Sequence, residues 1–232
     1  MRPERRDWVG LAVALAVAAG CVWLGFWQLD RLRHRRAHNA LVLAARRLPP
    51  LEVTGSVTRD AARDRRLHAR GVYDYRAEHL WRGRSFEGIP GADLITPLRL
   101  ADGSAVLVDR GWAPSPDAYH VDQQAYREAD TADVLGLGLA APRGLGDVDP
   151  ARLKDSVPYP LLPFVLQQFP SDGPSVRPSV ALQRWPPPEL SDGPHLSYAI
   201  QWFSFAVIIV VGSAALARQR ARSRGGTNNT LS

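Results

Sequence analysis

SDGPHLSYAIQWFSFAVIIVVGSAALA, residues 191–217, decides how this chain is built. From Leu196 to Ala217 there are 22 residues without a formal charge, enough at about 1.5 Å per helical residue to cross a hydrocarbon layer roughly 30 Å thick. We expect a membrane-spanning helix over 195–217. Its entry is the informative end. Pro194 is tolerated in a first helical turn, and Ser191 or Asp192 is placed to cap the exposed amides. His195 then stands at the mouth of the helix, with Tyr198 and Trp202 following at i+3 and i+7 on one face.

A second uncharged run, WVGLAVALAVAAGCVWLGFW, occupies residues 8–27 near the other end. Arginines before an apolar stretch also suit a cleaved secretory signal. The core is long for a signal, however, tryptophans mark its exit, and a helical pattern continues through QLDRLRHRRAHNALVLA without a turn residue. The sequence therefore predicts a retained anchor over 8–30, whose helix splays on from residue 37 until Pro49 and Pro50 stop it.

Charge is distributed unevenly around these spans. Residues 1–36 carry seven basic residues against three acidic ones, residues 37–195 carry 18 against 20, and the tail 218–232 carries four against none. The net charge of +6 belongs to the ends. A near-neutral middle without a basic, aromatic-studded stripe argues against a nucleic-acid partner. Arg218, Arg220, Arg222 and Arg224 follow the second span, so the positive-inside rule puts a basic tail in the cytoplasm. With two spans both termini are cytoplasmic, and residues 37–192 form a periplasmic domain of a multi-pass protein of the cell (inner) membrane. Residues 23–31 and 195–203 are then expected at one membrane depth. Cys21 is the only cysteine, which excludes an intrachain disulfide and a structural zinc module.

Between the spans, short segments rich in β-branched or aromatic residues alternate with turn residues. They are 51–58, 65–75, 92–100, 104–114, 133–142, 162–170 and 175–186. The ADG at 101–103 marks a hairpin turn. Residues 117–131 are either a helix or a charged loop, and 147–155 hold one short turn. The expected fold is two transmembrane helices flanking a mainly antiparallel β (α+β) extracytoplasmic domain.

No nucleotide-binding, metalloprotease or hydrolase motif is present, so no enzyme is expected and no catalytic residue is assigned. His68, His79 and His120 lack metal-ligand spacing. His34 and His38 share a helix face in an arginine-rich, headgroup-facing segment. The Asp109–Trp112 group is either a structural corner or a face turned to the membrane.

Three blocks occur in order: LGFWQLDR at 24–31, TPL at 96–98 with VLVDRGWAP at 106–114, and GPHLSYAIQWFSFA at 193–206. Together they resemble the SURF1 family of cytochrome c oxidase assembly factors from span to span. The chain departs from the family at Leu32, Arg33, His34 and Arg35, where x-x-Trp-Lys is common beyond the position of Arg31. The resemblance implies two membrane helices around an outer domain, and a role in delivering haem a to oxidase subunit I. It also implies that His195 is the haem-linked residue, the ligand of the haem iron. Expected partners are subunit I, the haem a synthesis or insertion machinery, and membrane lipids. A haem needs an apolar slot, an axial donor and cations for its propionates. Trp23, Trp27, Tyr198 and Trp202 suit the first, His195 the second, and Arg31 with Arg110 the third. The competing reading makes the tryptophans an interfacial belt, His195 a helix-mouth hydrogen bond, and the protein a scaffold for subunit I that binds no haem.

Overall fold

The computed structural model describes residues 5–115, 117, 120–139, 148–170 and 181–226. In chain order the elements are α1 (Arg5–Arg47), β1 (Leu51–Glu52), α2 (Arg59–Ala62), β2 (Arg66–Tyr73), β3 (His79–Phe86), β4 (Ile89–Arg99), β5 (Ala105–Pro114), β6 (Thr131–Leu139), α3 (Pro150–Leu153), β7 (Leu161–Gln168) and α4 (His195–Gly226). They fall into two compact units. One comprises the chain up to Ala40 and from Leu190 onward, and the other Leu41–Glu189.

The first unit is a pair of helices, both long and apolar enough to cross a membrane. α1 runs unbroken for 43 residues, or about 65 Å, and ends where Pro49 and Pro50 forbid helix. α4 does not stop with its apolar run; it continues through Arg218, Arg220 and Arg222. The helices are antiparallel. Ala18, Cys21, Gly25, Gln28 and Leu32 of α1 are buried, a spacing of three and four residues that keeps one narrow seam turned to a partner helix. On α4 the buried positions Ala199 and Ala206 are a heptad apart. Small side chains let the backbones approach closely. A Cβ on Gly25 would lie 2.6 Å from the Phe203 ring, and Phe26 meets the same ring edge-on at 5.3 Å between centroids. The exit of the first apolar run thus lies beside the entry of the second.

The second unit is a seven-stranded mixed sheet in the order β1-β2-β6-β7-β5-β4-β3, with an additional β2–β4 pairing. That pairing, Val72 with Arg99 and Tyr73 with Leu98, closes β2, β6, β7, β5 and β4 into a ring, leaving β1 and β3 outside it. Among the described residues only β1–β2 and β5–β7 are parallel. The core follows the period of two expected of strands: Leu67, Ala69 and Tyr73 of β2, Val106 and Val108 of β5, and Leu162, Phe164 and Leu166 of β7 share one cluster. On another face Ile95, Leu107 and Val165 pack with Val148 and Leu153 around α3.

Several expected segments differ. Of 51–58 only Leu51–Glu52 is strand, because the chain turns and Thr58 accepts a bond from the Ala61 amide to start α2. β3 is a strand the sequence pattern does not reveal; HLWRGRSF carries two arginines and a glycine at an edge. The turn at 101–103 joins β4 to β5, with Gly103 at φ 85°. Of 117–131, residues 118 and 119 lie outside the described residues, and the rest follows the charged-loop alternative, with a 3-10 turn at Gln123–Tyr126. The short turn expected at 147–155 is α3, whose first turn Asp149 caps. Of 175–186, residues 175–180 lie outside the described residues, and the remainder makes one bridge, Gln183 to Trp112.

Candidate cofactor site on the helix pair

The mouth of α4 is organised differently from a simple capped helix. The Pro194 carbonyl accepts the Tyr198 amide at 3.1 Å and the Ser197 hydroxyl at 2.8 Å, which fixes the first turn. Neither Ser191 nor Asp192 caps it. The Ser191 hydroxyl accepts the Gly193 amide, while its carbonyl receives Arg35 Nε and Asn39 Nδ2, each at 3.1 Å. Asp192 pairs with Arg36 Nε at 2.8 Å. Three side chains on the polar extension of α1 therefore satisfy the segment leading into α4, because charged and carbonyl acceptors there lie opposite a row of donors.

His195 is half-buried, and its Nδ1 lies 2.9 Å from Gln28 Oε1. An amide oxygen only accepts, so the contact is a hydrogen bond when Nδ1 carries a proton, and in the neutral ring that leaves Nε2 with its lone pair. Gln28 is 9% exposed. One turn along α1, Arg31 is exposed, with its guanidinium carbon 6.0 Å from the centre of the Trp27 ring.

The other aromatics are not drawn into one wall. Trp23 and Trp27 stand two residues before and after Gly25, about 200° around the helix from the seam, and are 67% and 45% exposed. They face away from α4. Tyr198 is exposed, and Trp202 is half-buried with its ring edge-on to Phe205 at 5.9 Å. An enclosed slot walled by all four rings is not formed.

Arg110 requires a correction. It is fully buried in the sheet unit, where Nη1 binds Glu78 at 2.7 Å, Nη2 donates to the Tyr126 carbonyl, and Nε lies 3.4 Å from Glu128. The Tyr73 and Tyr75 rings flank it at 5.5 and 5.0 Å. An isolated buried cation is prohibitively costly, so this arginine is compensated on every side and has no charge to offer a propionate.

The Asp109–Trp112 group is a structural corner. All four residues are buried, Gly111 has φ 128°, and Trp112 exchanges backbone bonds of 2.8 and 2.9 Å with Gln183. Asp93 accepts from Arg84 Nε at 2.7 Å and Trp185 Nε1 at 2.9 Å, which oppose the upward push of burial on its carboxyl without cancelling it. Burial, and then the charge of Asp93, push the Asp109 carboxyl well above the usual range.

Three of the other histidines have partners of their own. His68 is held by Glu52 and Asp133, His120 by Asp117, and His34 lies 3.4 Å from Asp30. Among the described residues no three metal-binding side chains converge. Gln28 is the site residue that sequence reasoning passed over, and its signal was present: a lone amide inside LGFWQLDR, at the edge of an apolar run, needs a partner.

Comparison with known proteins agrees with this architecture. The model of the SURF1 family matches residues 15–207, from within α1 to within α4. Uncharacterised SURF1-like proteins of Mycobacterium bovis and Mycobacterium tuberculosis are each 26% identical to the chain over 250 residues, covering 95% of this chain and 87% of theirs. The helix pair, the sheet between its helices in sequence and the matched span together assign the chain to the SURF1 family, a family of cytochrome oxidase assembly factors.

Proposed function

We propose that this chain binds or passes haem a during its insertion into subunit I of cytochrome c oxidase, with His195 as the ligand of the haem iron. The observation that carries the reading is the imidazole at the mouth of α4, held through Nδ1 and presenting Nε2. This is how metal-binding histidines are commonly oriented. The residues suit the group in a second respect. Gly193, at φ 71°, stands beside Nε2 without a side chain; a Cβ there would lie 3.6 Å from that nitrogen, in contact with it. When bound, haem supplies an iron that takes an axial nitrogen and carboxylates that seek cations. Arg31 is the cation for a propionate, while Tyr198 and Trp202 offer apolar surface on the helix that His195 begins. The protein acts as a carrier and catalyses no reaction. It works in the cell membrane with both termini in the cytoplasm, beside subunit I, the haem a synthesis or insertion machinery, and lipid.

The outward direction of Trp23 and Trp27 favours a second reading, a scaffold that holds subunit I through an aromatic face without touching haem. Purification of the detergent-solubilised protein from cells that make haem a, followed by its absorption spectrum and a search for co-purifying subunit I, separates the two. Haem a bands on the purified protein support the carrier. Haem-free protein that still brings subunit I with it supports the scaffold.

A further inference from the structure

We propose that Gln28 is the positioning residue of the site: its amide oxygen sets the tautomer and ring direction of His195, so that Nε2 is the nitrogen offered to a ligand. The consequence for haem rests on the reading above, whereas the tautomer is a property of the chain alone.

Four observations converge. Gln28 occupies the seam of α1 in register with Ala18, Cys21, Gly25 and Leu32, so its backbone position is fixed by helix packing. Its oxygen accepts from Nδ1 at 2.9 Å. The first turn of α4 is locked independently by the two bonds to the Pro194 carbonyl, so the imidazole is held at both its root and its Nδ1. Gly193 adds no side chain beside Nε2, where a Cβ would lie 3.6 Å from that nitrogen. A neutral imidazole free in water favours the proton on Nε2, which would block that nitrogen as a donor atom. An acceptor at Nδ1 reverses the preference, because with the proton on Nε2 the bare Nδ1 would set its lone pair against the Gln28 oxygen and the hydrogen bond would be lost.

The test compares wild type, Gln28→Leu, Gln28→Glu and H195A in the full-length, detergent-solubilised protein. Nitrogen-15 shifts of labelled histidine report the tautomer without cofactor, and titration with ferric haem b reports binding. Wild type is expected to show protonated Nδ1 and bare Nε2. Gln28→Leu is expected to move most of the proton to Nε2 and to weaken haem b binding about 10- to 100-fold, the usual effect of losing a residue that orients a metal ligand. Gln28→Glu keeps an acceptor in place and is expected to retain the wild-type tautomer and binding within about threefold, which separates loss of positioning from loss of helix pairing. An unchanged tautomer in Gln28→Leu, a shifted tautomer with unweakened haem b binding, or a Gln28→Glu protein that behaves like Gln28→Leu overturns the inference. Undiminished haem b binding in H195A instead overturns the haem reading and leaves the tautomer result standing.

Discussion

Arg110 and Asp109 are adjacent in the chain and both lie out of water, yet they meet the cost of burial in opposite ways. Arg110 keeps its charge because Glu78, Glu128, the Tyr126 carbonyl and two tyrosine faces surround it. Asp109 is pushed toward its protonated form by burial beside a carboxylate already paired with Arg84. The sequence offered a corner or a membrane-facing group for Asp109–Trp112, and composition does not distinguish them, since both uses call for an ion pair next to an aromatic ring. Glu78, Glu128 and Gln183, all distant in sequence, decide it. R110A strands Glu78 and is expected to destabilise the protein by about 3–5 kcal/mol, read by thermal or urea unfolding. A fully stable R110A that had lost only its haem would return Arg110 to the cofactor site.

At the scale of elements, both apolar runs were legible because their length and lack of charge suffice to identify them. Which face of each pairs was not legible, since in a span nearly every position is apolar and the helical period vanishes from the hydrophobicity. Small residues carry that information instead. Gly25→Leu forces a side chain into the Phe203 ring and is expected to cost about 1–3 kcal/mol, whereas Gly20→Leu, at a position with nothing within 4 Å, should leave the melting temperature unchanged. Equal effects of the two would contradict the seam.

The strands β1, β2 and β6 are tied by His68, whose Nδ1 lies 2.5 Å from Glu52 and whose Nε2 meets Asp133. Hydrogen bonds donated to these two carboxylates, Glu52 first, raise its pKa above 6.5 despite partial desolvation. The folded state therefore holds a proton that the unfolded chain has released. The stability it contributes is fully present below pH about 6.5 and is lost as pH rises through the folded value. Wild type should exceed H68Q in stability by more at pH 6 than at pH 9 in parallel unfolding curves. A difference independent of pH would mean that the imidazole acts only by packing.

Across the whole molecule, the division into two helices and a sheet could be read from the chain, as could six of the seven strands. β3 could not, because an edge strand bearing arginines and a glycine lacks the alternation that marks a half-buried one. Ring closure through β2 and β4 was also hidden, since it depends on two residue pairs far apart in sequence. The arginines that continue along α4 lead us to expect the C terminus in the cytoplasm. A reporter fused after residue 225 should be active there, and one near residue 115 should behave as periplasmic. A cytoplasmic signal from the central fusion would overturn that orientation.

The central claim is that His195 holds the haem iron. Imidazole is the strongest iron donor at this helix mouth, whereas the Tyr198 phenol must be deprotonated to ligate well. The deciding measurement is the ratio of haem to protein, with the absorption spectrum, for wild type, H195A and Y198F purified in parallel from cells that make haem a. The account predicts that H195A reaches the membrane at near wild-type levels but loses or strongly alters its haem bands, while Y198F keeps most of them. Well-folded H195A with unchanged haem content and spectrum would contradict it.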